Sequence, residues 1–303
     1  MAATPPNLFE MGLSTGKLRR LQRLAQGQVS GDGLMQLLAA DWRLDLGAPD
    51  PLPPADRADP EYAFRLADQG GMSGIILGIG HAERYLGDRY RHIPFVLQLN
   101  GKTDVPPDDE ALAPLNATVE DAVRLAADAV SYTLYAGSPA QYEDFTQLSR
   151  VRQECVAFGM PLLVRAVPRG TAIERRGGAG SQYALEYAAR VADELGADIV
   201  VVAPPSPAPS RAAHLPKPYS DLQLSPADAL ARVVNAAGNR LVLVDVSGET
   251  GNALRDVVRC AVEAGAVGVM LGRGLWQYSL EEAAALCREL RAMLEGEESV
   301  PSA

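Results

Sequence analysis

Residues Tyr183–Val202 read YALEYAARVADELGADIVVV. Tyr183–Leu195 spaces its apolar residues as an amphipathic helix does, Gly196 follows, and Asp198–Val202 is an almost continuous β-branched run. A glycine just past a helix end supplies the left-handed turn that sends the chain back. An unbroken apolar run suits a parallel strand covered on both faces. The stretch therefore reads helix, turn, buried strand, and the order recurs around it. Gly159 precedes Leu162–Val167, Gly238 precedes Leu241–Val246 and Gly265 precedes Val267–Leu271. Upstream, Met35–Ala40, Gly74–Ile79, Phe95–Leu99 and Val130–Tyr135 complete eight strand candidates. Amphipathic segments separate most of them. Val119–Asp128 sets Val119, Ala122, Val123 and Ala126 on one helical face, and Ala253–Ala264 behaves similarly. The pattern predicts an α/β fold, a (β/α)8 TIM barrel, as one domain over residues 1–303. An open Rossmann sheet is the alternative, but no GxGxxG follows the first strand.

Three segments fall outside the repeat. Leu13–Gln26 is a basic amphipathic helix ahead of strand one, suited to plugging the lower mouth of a barrel or to an interface. Ala48–Pro60 reads as a loop above strand one, and Pro204–Pro226 as a long proline-rich loop above strand six; loops of that length often serve as lids or substrate loops. From about Gly296 the chain reads as a disordered tail.

Composition narrows the class. An apolar share of 47% suffices for a large core, and a net charge of −10 opposes nonspecific binding to nucleic acid or to an anionic membrane. A small anionic ligand remains compatible if arginines and backbone amides receive it locally. No apolar run approaches the ~20 residues of a membrane span. Met1–Met11 has no basic start followed by an apolar stretch, so no secretory signal is visible. Cys155, Cys260 and Cys287 form no CxxC and read as free thiols in a reducing compartment, so the expected location is cytoplasmic. His81, His92 and His214 make no HxH or HxxxH pair; His81 and Asp41 alone would not define a site, so no metal and no cofactor is expected.

Active sites of such barrels lie at the C-terminal ends of the strands. Asp41 follows strand one, Lys102 strand three and Arg169 strand five, and Arg165 lies within the end of that fifth run. Ser247-Gly248 follows strand seven, and Gly272-Arg273 follows strand eight. Loops after strands seven and eight commonly cradle phosphate, where small residues let backbone N–H groups approach an oxyanion. Ser247, Gly248, Gly272, Arg273 and Arg169 are thus candidates for substrate or phosphate binding. Asp245 and Glu249 oppose that reading by repulsion, and tight turns with a solvated arginine would leave the same residues. No GxSxG occurs and no cysteine ends a strand, which removes two nucleophile classes.

Five stretches, in order, carry a family resemblance: YRHIPFVLQLNGKT at 90–103, AVSYTLYAGS at 129–138, PLLVRAVPRG at 161–170, LGADIVVV at 195–202 and VGVMLGRGLWQ at 267–277. Together they resemble strands three, four, five, six and eight of the archaeal-type class I fructose-bisphosphate aldolases (the DhnA group). The likeness runs from about Leu13 to about Leu294. The resemblance implies a barrel that makes or cleaves a carbon–carbon bond beside a carbonyl. A lysine amine forms an imine that acts as an electron sink, and a tyrosine moves protons. It also implies a phosphate site at Gly272-Arg273 and a symmetric homo-oligomer.

This chain departs from the family at the positions that carry the chemistry. The imine lysine of strand six corresponds to Val201, and the tyrosine of W-S-Y-P-R-G to Val167. That motif's tryptophan is Arg165, and the lysine of V-K-L-N is Gln98. The strand-one aspartate is kept as Asp41 but is followed by Trp42 and Arg43, and the paired glycines after strand seven are Gly248-Glu249. Valine cannot be a nucleophile, and Val201 and Val167 read as barrel packing.

Two functions of different class follow. One is a divergent aldolase-like protein whose standard imine chemistry is lost and which acts on or binds a small phosphorylated or carboxylated sugar-like ligand at the barrel mouth. Asp41, Lys102, Arg165 and Lys217 are its catalytic candidates. Either Lys102 or Lys217, two of only three lysines, would have to supply a relocated imine, although a solvated lysine is a poor nucleophile at neutral pH. The other is a non-catalytic ligand-binding or regulatory pseudo-aldolase.

Overall fold

The apolar runs become the eight parallel strands of a closed barrel, each bounded within one residue of its run. They are β1 Met35–Ala39, β2 Gly74–Gly78, β3 Phe95–Gln98, β4 Ala129–Ala136, β5 Leu162–Pro168, β6 Ile199–Val202, β7 Leu241–Asp245 and β8 Gly268–Leu271. Each pairs with its neighbour in sequence, and β8 returns to β1 through Met35↔Gly268 and Leu37↔Met270. The computed structural model describes residues 8–26, 34–41, 60–87, 90–103, 105, 111–207 and 212–296. Of the loop expected over Ala48–Pro60, Pro60 is helical and 48–59 lie outside the described residues, as do the pair Trp42-Arg43 and the tail expected beyond Gly296.

Helices alternate with the strands: α1 Thr15–Gln26, α2 Pro60–Gln69, α3 Ile79–Tyr85, α4 Val119–Arg124, α5 Gln141–Phe158, α6 Thr171–Glu174, α7 Gln182–Glu194, α8 Pro226–Ala236, α9 Gly251–Glu263 and α10 Leu280–Glu295. Gly159, Gly196, Gly238 and Gly265, which precede strands five to eight, all take positive φ, between 58° and 92°. Their lack of a Cβ is what lets the helices end there.

One helix is shorter than its apolar spacing predicts. α4 stops at Arg124; Val119 and Ala122 are buried, but Val123 is exposed and Ala126 lies beyond the helix with φ 59°. The cause is the entry into β4. Asp128 N–H donates to Phe95 O at 2.8 Å, and Asp128 Oδ2 accepts from Phe95 N–H at 3.0 Å. Those bonds draw the chain onto the sheet before another helical turn can form.

The N-terminal helix plugs the lower mouth. Leu21, Leu24 and Ala25 of α1 are buried in one cluster with the interior side chains Leu37, Val96, Leu163, Ile199, Val201 and Leu243. Lys17 fixes the helix: its Nζ donates to Asp198 Oδ2 at 2.6 Å, and that oxygen also accepts from Leu162 N–H at 2.8 Å. Arg23 sits 3.4 Å from the Asp128 carboxylate, and Arg20 donates to Gly159 O at 3.2 Å. With α1 packed under its floor, the barrel presents its candidate residues at the C-terminal ends of its strands.

The described part of the long loop after β6 lies on the outer helices. Ser206 N–H donates to Gly180 O at 2.9 Å, and Tyr219 Oη donates to Glu186 Oε2 of α7 at 2.8 Å. Burial would raise the Glu186 carboxyl, but bonds from Arg232, Gln182 and Tyr219 outweigh it and hold the group below its ordinary range.

Candidate functional site

Side chains two apart on a strand share a face. Ile199 and Val201 both belong to the interior cluster, as do Leu163 and Leu243. The same parity turns Arg165, two residues after Leu163 and paired with Val201, into the barrel. Val201 is 2% exposed. Arg165 does not stay beside its own strand. Its Nη1 donates to Asp41 Oδ2 at 2.6 Å. Asp41 follows β1, which stands four strands from β5 in either direction around the closed sheet. The guanidinium thus spans the mouth above the apolar floor, near the barrel axis. The pair is well shielded, with side-chain exposures of 14% for Arg165 and 4% for Asp41. Asp41 Oδ1 is buried and has no hydrogen-bond partner among the described residues.

A polar patch lines the adjoining wall, where Thr133 of β4 is the register partner of Arg165. Gln98 on β3 and Ser131 on β4 are register partners. Gln98 Nε2 donates to Asn100 O at 2.8 Å, Asn100 Oδ1 at 3.0 Å and Thr133 Oγ1 at 3.2 Å. Asn100 Nδ2 donates to Thr133 O at 2.8 Å, and Asn100 Oδ1 accepts from Thr133 N–H at 2.7 Å. Gln98 Oε1 and Ser131 Oγ are buried without a partner among the described residues. Buried polar atoms are nearly always bonded, so unsatisfied ones at a barrel mouth fit groups that meet a ligand or ordered water. Space exists beside them: Gly78 on β2 pairs with Gln98, and a Cβ there would meet no described atom within 4 Å.

The remaining candidates scatter. Arg169 lies over Tyr135, its guanidinium carbon 5.1 Å from the ring centre and its Nη1 donating to Tyr135 Oη at 3.4 Å. It lines an open cavity of about 360 Å³ with Val167, Gly170 and Glu174. Arg273 is exposed on the other side of the mouth, against Gly248, where an added Cβ would lie 3.3 Å from its Nη2. Gly272 leads into the 3-10 turn Arg273–Gln277 and lies tight on Ser247, whose Cβ would be 2.8 Å from an added one. Ser247 N–H donates to Asp245 Oδ1 at 2.9 Å. The structure therefore brings Ser247, Gly248, Gly272 and Arg273 together and leaves Arg169 with Tyr135.

Neither mouth-side lysine joins the ion pair. Lys102 Nζ donates to Thr103 O on its own loop at 2.9 Å. Lys217 is 84% exposed and 3.7 Å from Asp221, on the turn that Tyr219 straps to α7. His81 sits in α3 against Tyr85, while Asp41 is engaged by Arg165. Among the described residues no three His, Cys, Asp or Glu side chains gather closely enough for a metal ion. Burial pushes the Cys155 and Cys287 thiols up to about 12, far from nucleophilic use.

Sequence reading passed over Ser131 and Thr133. The signal was available: in AVSYTLYA the alternate residues Ser131, Thr133 and Tyr135 share the parity that points inward.

The profile of the DeoC/LacD family aldolases matches residues 37–278, from within the first strand to just past the last. The chain belongs to this family. The fructose-bisphosphate aldolase class 1 of Thermoproteus tenax is 34% identical over 243 residues, covering 80% of this chain and 82% of that protein. The 2-amino-3,7-dideoxy-D-threo-hept-6-ulosonate synthase of Halobacterium salinarum is 30% identical over 268 residues, covering 87% and 86%. A solved archaeal fructose-1,6-bisphosphate aldolase, its catalytic lysine covalently bound to the carbinolamine intermediate of the substrate, superposes with a TM-score of 0.74. It shares 30% identity, over 95% of this chain and 99% of that one. Against that family background, the position that the resemblance assigns to the imine lysine is an inward valine whose neighbour is a paired arginine.

Proposed function

We propose that this chain binds a small phosphorylated or carboxylated sugar-like ligand at the barrel mouth, and that imine chemistry at residue 201 is lost. The observation that carries this reading is the juxtaposition of inward-facing, buried Val201 with Arg165, which spans the mouth to Asp41. An amine must reach the ketone carbon to form an imine. Val201 has none, and Lys102 and Lys217 turn to their own loops. The fixed cation at the axis and the cluster of Ser247, Gly248, Gly272 and Arg273 favour an anionic, oxygen-rich ligand. Asn100, Gln98 and Thr133 supply hydroxyl-matching polarity on the adjoining wall.

The test combines borohydride trapping with binding. Wild-type protein mixed with dihydroxyacetone phosphate and reduced should show no adduct by intact mass, while ligand-observed NMR should show binding that inorganic phosphate competes. Cleavage of fructose bisphosphate at ~1 s⁻¹ or more, a rate typical of enzymes, together with a lysine adduct trapped by borohydride, would overturn the loss of imine chemistry. The same reading takes the chain as a homo-oligomer, in keeping with the exposed Tyr142, Val156 and Phe158 of α5. A monomer mass by light scattering at micromolar concentration would contradict that.

A further inference from the structure

Three buried oxygens with nothing to bond mark one place in the described structure, the wall and axis of the barrel mouth: Asp41 Oδ1, Gln98 Oε1 and Ser131 Oγ. Of these only Asp41 carries a charge, and its other oxygen is already held at 2.6 Å by Arg165. A carboxylate so placed has one oxygen fixed and the other presented to the site. The same bond fixes the guanidinium, whose planar fork carries several N–H donors. Both side chains are largely withdrawn from water, where hydrogen bonds to developing charge count for more than in solvent.

We infer that Asp41 and Arg165 form a non-covalent enolising pair for a small phosphorylated or carboxylated ketose. This rests on the ligand class proposed above and adds a reaction to it. The ketone oxygen sits against the Arg165 guanidinium, and the adjacent carbon lies over Asp41 Oδ1. Asp41 removes a proton from that carbon. The C–H electron pair becomes the carbon–carbon double bond of the enol, and the carbonyl π pair moves onto the oxygen that Arg165 faces. Once the proton on Asp41 has been replaced by one from solvent, its return to the same carbon completes an exchange. If an aldehyde is bound alongside, the enolate carbon attacks the aldehyde carbon, and the proton held by Asp41 passes to the aldehyde oxygen. The product is a hydroxyketone, Asp41 is again a carboxylate, and no further reactant is consumed.

The placement accounts for Arg165 as well as for Val201. An imine neutralises developing charge covalently; a guanidinium does so through its hydrogen bonds and its permanent charge. A lysine at 201, paired in register with Arg165, would be repelled by it. The arginine and the apolar residue are therefore mutually consistent, and together they describe a carbonyl site run by electrostatics. Gly78, with no described atom within 4 Å of its would-be side chain, leaves room for the rest of the ligand beside Gln98.

The experiment is exchange of the carbon-bound protons of dihydroxyacetone phosphate in D2O, followed by NMR, with binding measured on the same samples. Wild type should exchange deuterium into one CH2 position above the buffer rate. Asp41→Asn keeps an acceptor for Arg165 and should retain binding while exchange falls by about 10²–10⁴-fold, the usual worth of a general base. Asp41→Glu should recover part of it. Arg165→Met should lower exchange by about 10²–10³-fold, as loss of a donor to an oxyanion does. Prior borohydride treatment with the ketone should leave exchange unchanged. Binding without exchange in wild type, full exchange in folded Asp41→Asn, or exchange abolished by borohydride with a lysine adduct would each overturn the enolising pair while leaving the ligand class standing. Absence of any binding by wild type would overturn the ligand class itself.

Discussion

Placing an amine at residue 201 tests the geometry of the mouth directly. Val201 is buried at 2% exposure and pairs in register with Arg165, so the substituted side chain in Val201→Lys would start one strand spacing, about 4.8 Å, from the arginine backbone. With charged ends about 6 Å apart and an effective dielectric constant of about 20, their repulsion is ~3 kcal/mol, or about 2 pKa units. The Asp41 carboxylate, 2.6 Å from Arg165, offsets part of this. Leaving about 1 unit from charge and adding roughly 1–2 units from desolvation, the amine should titrate roughly 2–3 units below its ordinary value. Overpacking should cost about 1–3 kcal/mol of stability. The assay is borohydride reduction with dihydroxyacetone phosphate across pH 6–10, with intact mass and peptide mapping. Adduct at position 201 should rise with an inflection at about pH 7.5–8.5, given an ordinary lysine value of about 10.4. A folded variant with no adduct, adduct only at Lys17, Lys102 or Lys217, or a yield that rises only near pH 10 would refute the inward register or the closeness of Arg165.

Three further outcomes follow from other parts of the structure. Arg273→Ala should weaken a phosphorylated ligand by about 1.5–3 kcal/mol, the worth of a charge-assisted bond; equal affinities by calorimetry would remove Arg273 from the anion site. Lys17→Met should destabilise the fold by about 3–5 kcal/mol in urea, because it leaves the Asp198 carboxylate, 5% exposed, without its ion partner; a loss under 1 kcal/mol would contradict the plug's anchoring role. Burial raises the Asp144 carboxyl despite bonds from Tyr132 Oη and Tyr135 N–H, so the folded state favours the protonated acid. Its contribution is complete below the unfolded value of about 3.9 and is lost as pH rises through the folded one, so wild type should lose stability relative to Asp144→Asn as pH rises above about 4. A pH-independent difference in denaturation free energy would refute that sign.

The barrel was legible in the sequence because its signals are local. Gly196 after Leu195, then a β-branched run, reports helix end and buried strand within eight residues, and the repetition of that order implies closure. The family likeness and the apolar identity of residues 201 and 167 were legible for the same reason. α4 was overextended because spacing alone cannot register Asp128, whose bonds to Phe95 come from a strand 33 residues away. The strand-end cations were all visible, but nothing local separates Arg165 from Lys217 or Arg169. Only the closed sheet sets Arg165 facing Asp41 across 124 residues of chain, and only the packing of α1 beneath the floor joins Lys17 to Asp198 across 181. Sequence determines which side chains each strand turns inward, since that parity is a property of the backbone. Which inward charges meet depends on barrel closure and on the length of each side chain, and these exist only once the whole chain has folded.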